Sequence, residues 1–301
     1  MNELLPALYD HLEPVALRIA DRAARLEPVD AQRAYLVGVA RQIVEHGSFR
    51  AEAPSLVTPP GLEGTLGWFK LLDAHLEDFV AGRMSAREII AEGGGRLWET
   101  FQARDLVCAV FGHGVARALA PMLSGADVLE LGTGTGGTTR RMATDLTMAN
   151  RVVLSDLRQS FLDRVAAELP GVAVETQIID INEPLTMTGP FDLIFSTNCI
   201  HVARDLPFTL EWIRQCLKPG GALVLGEGSH YSQRVPSPVC LVLSLFDGWW
   251  DVPTSRERPH PGFLLPEHWF AAFGAAGYRN MSMERWTDGR RTFGGVFWAF
   301  A

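Results

Sequence analysis

The stretch Asp127-Val-Leu-Glu-Leu-Gly-Thr-Gly-Thr-Gly-Gly-Thr-Thr-Arg140 runs from an apolar strand through a glycine-rich turn into a helix start. Val128, Leu129 and Leu131 have the character of a buried strand. Gly132, Gly134, Gly136 and Gly137 let the chain turn sharply and let a ligand approach the backbone without meeting a Cβ. Thr138 and Thr139 can open a helix. The spacing Gly132-x-Gly134-x-x-Gly137 satisfies a dinucleotide fingerprint, which several ligand classes share.

Glu130 narrows the choice. A carboxylate two residues before the first glycine is poorly placed beside a pyrophosphate and well placed to meet an ammonium group, which points to S-adenosyl-L-methionine as the cofactor. No Gly-Lys-Ser/Thr follows, so a P-loop is excluded. Arg151-Val-Val-Leu-Ser-Asp156 is a second strand, ending in an acid about twenty residues past the last glycine, where a ribose-binding carboxylate belongs. Asp156 is expected to accept from the adenosine hydroxyls, with Leu157 beside it and Thr133 in the loop completing that side of the cofactor site. Asp180, in Ile178-Ile-Asp-Ile181, is placed to accept from the adenine amino group with Ile181 against the ring; a turn aspartate is the alternative.

Outward from this stretch the alternation is regular. Strands are expected at 127–131, 151–155, 173–179, 192–196 and 222–226, with helices at 136–147, 159–169 and 206–217 between them, which means an α/β fold with a parallel sheet. After a helix at 266–273, strands 279–286 and 292–300 flank Asp288-Gly289, a hairpin signal. An antiparallel hairpin closing a parallel sheet is the class I methyltransferase arrangement, a Rossmann-like seven-stranded sheet, and speaks with Glu130 against a nicotinamide oxidoreductase.

Residues 1–95 read as an N-terminal helical region for substrate, lid or dimer contacts, and 96–301 as the cofactor-binding domain with an insert at 229–262. Leu4, Leu5, Leu8 and Leu12 recur at helical steps, as do apolar residues from Ala34 to Val44, until Pro59-Pro60-Gly61 breaks the pattern. Trp68, Phe69, Leu72, Leu76, Phe79 and Val80 then form one apolar stripe. Ser85-Ala-Arg-Glu88 is a capping box for a short helix that stops at Gly93-Gly94-Gly95. A longer helix from Leu97 to Val115 is expected to lead into the first strand across the cofactor mouth.

Asn198-Cys-Ile-His201 follows one strand and Glu227 follows another. If those strands are neighbours, a spacing of about 5 Å brings imidazole and carboxylate together. Glu227 would fix the tautomer of His201 and stabilise its imidazolium, leaving the other ring nitrogen to take a proton from substrate. The insert holds Phe246, Trp249 and Trp250, which either wall an acyl pocket or are core. His230 and Tyr231 are candidate substrate contacts. His113 is a packing or capping residue, or one that reaches the cofactor.

The bulk composition limits the partners. The chain has 301 residues, 21% charged and 47% hydrophobic, with a net charge of −8. That acidity argues against nucleic acid, no apolar run reaches the ~18 residues of a membrane span, and the start is not a signal peptide, so a cytoplasmic location is expected. Cys108, Cys199, Cys216 and Cys240 are widely separated and indicate neither zinc nor a disulfide framework.

These residues resemble the methyltransferase domains built into polyketide synthases, the C-methylating ones above all, as a freestanding relative over roughly residues 70 to 300. The resemblance rests on Val128 to Thr139, on Ser155-Asp-Leu-Arg-Gln-Ser-Phe-Leu162, on Asn198-Cys-Ile-His201 and on Leu245-Phe-Asp-Gly-Trp-Trp250. It implies a His201–Glu227 catalytic dyad and Asn198 as a cofactor neighbour. It also implies that His201 takes a proton from the α-carbon of a β-ketoacyl thioester so that the enolate accepts the methyl group. An O-methyltransferase acting on a hydroxyl or carboxyl is the alternative. The implied partner is a small-molecule or carrier-protein-bound acyl substrate, with a homodimer possible; basic residues form only small spots for a carrier, such as Arg290-Arg291.

Overall fold

The alternation that begins at Asp127 builds a seven-stranded sheet in the computed structural model, which describes residues 1–52, 60–184, 189–256 and 258–301. Its strands are β1 (Asp127–Leu131), β2 (Arg151–Asp156), β3 (Val174–Ile178), β4 (Phe191–Thr197), β5 (Leu217–Gly228), β6 (Arg279–Thr287) and β7 (Thr292–Phe300). They lie in the order β3-β2-β1-β4-β5-β7-β6. The first five are parallel, β7 runs antiparallel to β5, and β6 lies beside β7, the two strands that flank Asp288-Gly289. The chain leaves β1 toward β2 on one side and returns to β4 on the other, so the crevice for a ligand opens at the carboxyl ends of β1 and β4.

The helices in chain order are α1 (Leu4–Ala23), α2 (Ala31–His46), α3 (Glu63–Val80), α4 (Ala86–Glu99) and α5 (Leu106–Leu119). Then follow α6 (Gly137–Arg141), α7 (Ala143–Leu146), α8 (Gln159–Ala167), α9 (Leu206–Gln215), α10 (Cys240–Leu243) and α11 (Pro266–Ala275). The residues form two compact units: a helical one of 1–108, 230–252 and 286–293, and a sheet unit of 109–229, 253–285 and 294–301.

In the sheet unit, Leu129, Leu131, Ile194, Leu223 and Leu225 meet Trp269, Phe273 and Phe297 in one buried cluster. Burying each such side chain is worth about 1.5–3 kcal/mol, which holds the strand ends still enough to carry a site. In the helical unit α1 packs on α2 and α3, with Leu5, Leu8, Leu12, Leu36, Ile43, Trp68, Phe69 and Leu72 buried.

Three helix boundaries differ from the sequence reading. The helix expected at 136–147 is two short ones, because Met142 (φ −95°, ψ 2°) interrupts it. The capping box at Ser85 is present, but the helix does not stop at the glycines: it kinks at Gly94 (φ 65°, ψ 174°) and continues to Glu99. The long helix expected from Leu97 to Val115 is broken by a π-helical turn over Thr100–Arg104 and by extended Asp105 (φ −69°, ψ 129°). Asp105 is fully buried, and its carboxylate accepts from Thr65 N at 2.6 Å and Val107 N at 3.2 Å, so it caps the start of α5. Burial raises its pKa to about 6. Pro59 lies outside the described residues.

Arg291 also departs from expectation. It is not part of a surface spot but 8% exposed, paired with Asp10 and Asp288 and hydrogen-bonded to the buried Glu13. Glu13 also accepts from Tyr231 Oη at 3.1 Å and Arg50 N at 3.0 Å. Among the described residues, no helix is long and apolar enough to cross a membrane. No group of three or more His, Cys, Asp or Glu side chains among them is placed to hold a metal.

Candidate active site

The pairing of β4 with β5 runs through Thr197 opposite Gly226, which delivers the residues after each strand to the same edge. Asn198 extends the ladder by donating its N–H to Gly226 O at 2.8 Å, and its side-chain oxygen accepts from Gly228 N at 3.1 Å. Its φ of 49° turns the chain out of the sheet, a left-handed conformation that asparagine tolerates better than most residues. The short turn Ile200–Val202 follows and carries His201 over Glu227.

His201 Nδ1 lies 2.6 Å from Glu227 Oε2, with the two side chains 5% and 0% exposed. An ionised carboxylate only accepts, so Nδ1 donates to Glu227, and a neutral ring would carry its lone pair on Nε2. The other carboxylate oxygen accepts from the backbone N–H groups of Cys199 (3.3 Å) and Ile200 (3.1 Å). Three donors therefore hold a carboxylate buried away from water, a charge-assisted arrangement that compensates its desolvation. Phe263 meets the imidazole edge-on, centroid to centroid 5.4 Å.

β7 makes the other wall. Gly295 pairs with Glu227 and Gly294 with Gly228. A Cβ at Gly294 (φ 131°) would stand 2.2 Å from Glu227 O, and one at Gly295 would stand 2.0 Å from Glu284 O. Both glycines are required by close backbone approach.

The glycine loop lies on the neighbouring strand ends. Gly132, Gly134 and Gly136 have φ of 71°, 54° and 76°. A Cβ on Gly132 would strike Cys199 Sγ at 2.3 Å, which joins the loop to the histidine turn, whereas at Gly134 the nearest atom is 3.9 Å away, so its backbone faces open space. Thr133 N donates to Ser155 O and Gly134 N to Asp156 Oδ2, each at 2.8 Å, bracing the loop to β2. Glu130 is 2% exposed and accepts from Thr133 Oγ1 at 3.1 Å and from Thr139 Oγ1. Burial outweighs these donors and raises its pKa to about 7.

Leu157, beside Asp156, is 62% exposed. Asp180 accepts from Asn182 N at 2.9 Å, and Ile181 packs partly buried against the sheet core. An open-backed glycine, an acid at the end of β2 and an apolar side chain left in the open suit an adenosyl group, so these residues fit S-adenosylmethionine.

The other candidates are placed differently. His113, on the sheet-unit part of α5, is exposed and hydrogen-bonded to Ala109 O at 2.9 Å. His230, Tyr231, Phe246, Trp249 and Trp250 belong to the helical unit. There Phe246 packs on Trp68 and Trp98, Trp249 Nε1 donates to Tyr35 Oη at 3.1 Å, and His230 Nδ1 lies 3.8 Å from Cys240 Sγ. The reading from sequence missed Phe263, Arg258, Gly294 and Gly295 around the dyad. Adjacent glycines inside a strand were the available signal for the last pair.

A family model described as a methyltransferase domain matches residues 128–221. Polyketide synthase ThaG of Burkholderia thailandensis is 30% identical over 298 residues, covering 91% of this chain and 5% of its own length, so the chain spans a small part of that relative. The DszA carbon methyltransferase structure superposes with a TM-score of 0.72 at 21% identity, over 99% of this chain and 92% of its own. The trans-methyltransferase CalH, solved in complex with SAH, does so with a TM-score of 0.73 at 18% identity, over 100% and 91%. The chain carries a methyltransferase domain of the class I fold and is similar to a polyketide synthase in sequence.

Proposed function

We propose that this domain methylates the α-carbon of a β-ketoacyl thioester, free or carrier-bound, with His201 as the base and Glu227 as the group that orients it. The observation that carries the reading is the 2.6 Å contact between His201 Nδ1 and a fully buried Glu227 carboxylate at the open end of the sheet. Relatives named as a polyketide synthase and a carbon methyltransferase support the substrate class.

S-adenosylmethionine supplies the methyl group as an electrophile already activated on its sulfonium. The backbone of Gly132, Thr133, Gly134 and Gly136 would cradle it, with Asp156 on the ribose, Leu157 and Ile181 against the adenine, Asp180 on the amino group and Asn198 alongside. Glu130 holds the loop through its threonines and offers its charge to the ammonium group. His201 Nε2 takes the α-proton, and the imidazolium so formed is stabilised by Glu227. Holding base, acceptor and donor in line is worth roughly 7–11 kcal/mol, so positioning carries much of the rate. Acyl contact by His113, on the same unit, is part of the same proposal.

The test is mass spectrometry of a β-ketoacyl and a β-hydroxyacyl thioester incubated with S-adenosylmethionine. A methyl gain on the α-carbon of the keto substrate, lost in His201→Ala with cofactor affinity retained, is the expected result. Gain on the hydroxy substrate alone would replace the carbon reading with oxygen methylation.

A further inference from the structure

A hydrogen bond sets a distance and a direction but not the plane of the ring that makes it. The contact of His201 Nδ1 with Glu227 Oε2, at 2.6 Å, leaves the imidazole able to turn about that line. Nε2 lies off the line, so turning swings the atom that takes the proton. A second contact, to the ring itself, decides where Nε2 points.

Phe263 makes such a contact. Its ring meets the imidazole at 5.4 Å between centroids with the planes 64° apart, an edge-to-face arrangement that aromatic pairs favour. Gly262, with a φ of 84°, turns the chain into Phe263, and Leu264, 1% exposed, anchors it in the core of the sheet unit on the other side. Earlier in the segment Ser255 N donates to Arg258 O at 2.7 Å and Arg258 N to Ser255 Oγ at 3.1 Å, closing a turn. From that turn Arg258 Nη1 donates to Ala203 O, directly after the residues that carry His201. The segment therefore meets the histidine turn at its backbone and at its ring.

Gly228 shows the same fit from the sheet. Glycine weakens a strand unless another group approaches its backbone closely, and the φ of Gly228 is not one of the positive ones that call for glycine. The three atoms nearest to a Cβ placed there all belong to Phe263: Cε1 and Cζ at 2.6 Å and Cδ1 at 3.1 Å. The missing side chain, one residue after Glu227, is the space in which the ring sits.

We propose that Phe263 is the positioning residue for the base. Its ring, seated over Gly228, holds the imidazole plane so that Nε2 faces the α-carbon, and it acts through His201. The proposal rests on the reading of His201 as the base of carbon methylation.

The test uses the full chain and the N-acetylcysteamine thioester of acetoacetate. Methylation is followed with S-adenosylmethionine, and uptake of solvent deuterium at the α-carbon is followed with S-adenosylhomocysteine in its place. Phe263→Leu keeps an apolar side chain and removes the ring. It is expected to lower kcat and the deuterium uptake above the buffer rate by the same factor, on the order of ten- to a hundredfold, the scale of a reacting group misplaced by about 1 Å. KM and S-adenosylhomocysteine affinity should hold. Gly228→Ala displaces the ring and should give a similar loss, but added to Phe263→Leu it should cost little more, because leucine has no Cε1 or Cζ for the new Cβ to strike. Carbon relaxation of labelled histidine, with the His201 signals assigned by their loss in His201→Ala, reads the ring directly: rigid in the native protein and mobile in either single variant.

Native-like kcat in Phe263→Leu, an imidazole as rigid there as in the native protein, or additive losses from the two changes would overturn the proposal. Loss of S-adenosylhomocysteine affinity alongside kcat, or failure of both single variants to fold, would overturn it too and assign the ring to the fold of the site. If the native protein shows neither methyl gain nor deuterium uptake on this thioester, the carbon reading falls; if His201→Ala keeps both, the base is another group. Either result is seen before Phe263 is changed and takes the positioning role with it.

Discussion

Replacing Glu130 with glutamine tests what a buried carboxylate does under the glycine loop. Burial raises its pKa from an ordinary 4.5 to about 7. The folded protein therefore holds this proton more tightly than the unfolded chain between those values, and stability falls as pH rises through the window. The difference between 4.5 and about 7 amounts to a loss of about 3 kcal/mol, absent below pH 4.5 and complete above pH 7. Glutamine accepts from the hydroxyls of Thr133 and Thr139 as glutamate does but does not ionise.

Urea unfolding of native and Glu130→Gln proteins from pH 4.5 to 8 gives the difference directly. The fall contributed by Asp105, whose pKa is about 6, is common to both proteins and cancels. The variant should gain about 3 kcal/mol on the native protein across the range. Parallel curves would refute the argument. An ammonium group beside Glu130 would draw its pKa back down, so cofactor affinity should rise through pH 7 in the native protein and stay flat in the variant.

Gly294→Ala places a Cβ 2.2 Å from Glu227 O at a φ of 131°, so β7 has to move away from the dyad; a loss of about 2 kcal/mol or more in thermal unfolding and a fall in kcat with cofactor affinity retained are expected. Arg291→Ala leaves Glu13 as an uncompensated buried charge in the helical unit, costing about 3–5 kcal/mol in urea unfolding, most of which a second change, Glu13→Gln, should return.

The parts of the molecule readable from sequence are those set by neighbours in the chain. Gly132, Gly134 and Gly136 announce left-handed turns by composition, and period and turn residues place the seven strands. The meeting of His201 and Glu227 follows from one further step, the adjacency of β4 and β5. What stayed hidden is set by distant partners. The apolar pattern continues unbroken from Leu97 to Val115, yet Asp105 breaks the helix because Thr65 N donates to it from forty residues earlier. Arg291 reads as a surface cation until Glu13, 278 positions away, is folded against it. Arg258 lies among serines, prolines and arginines with no periodicity to mark it as buried.

The three donors around Glu227 also constrain how this site can evolve. A single-base change turns a glutamate codon into one for Gln, Asp, Lys, Gly, Ala or Val. Glutamine has one acceptor oxygen where the backbone pair Cys199–Ile200 and His201 Nδ1 call for two, and its amide nitrogen would face an N–H on whichever side it lay. Aspartate falls a methylene short of the same reach, and the remaining neighbours accept nothing. None of these single-base steps preserves all three hydrogen bonds to the Glu227 carboxylate.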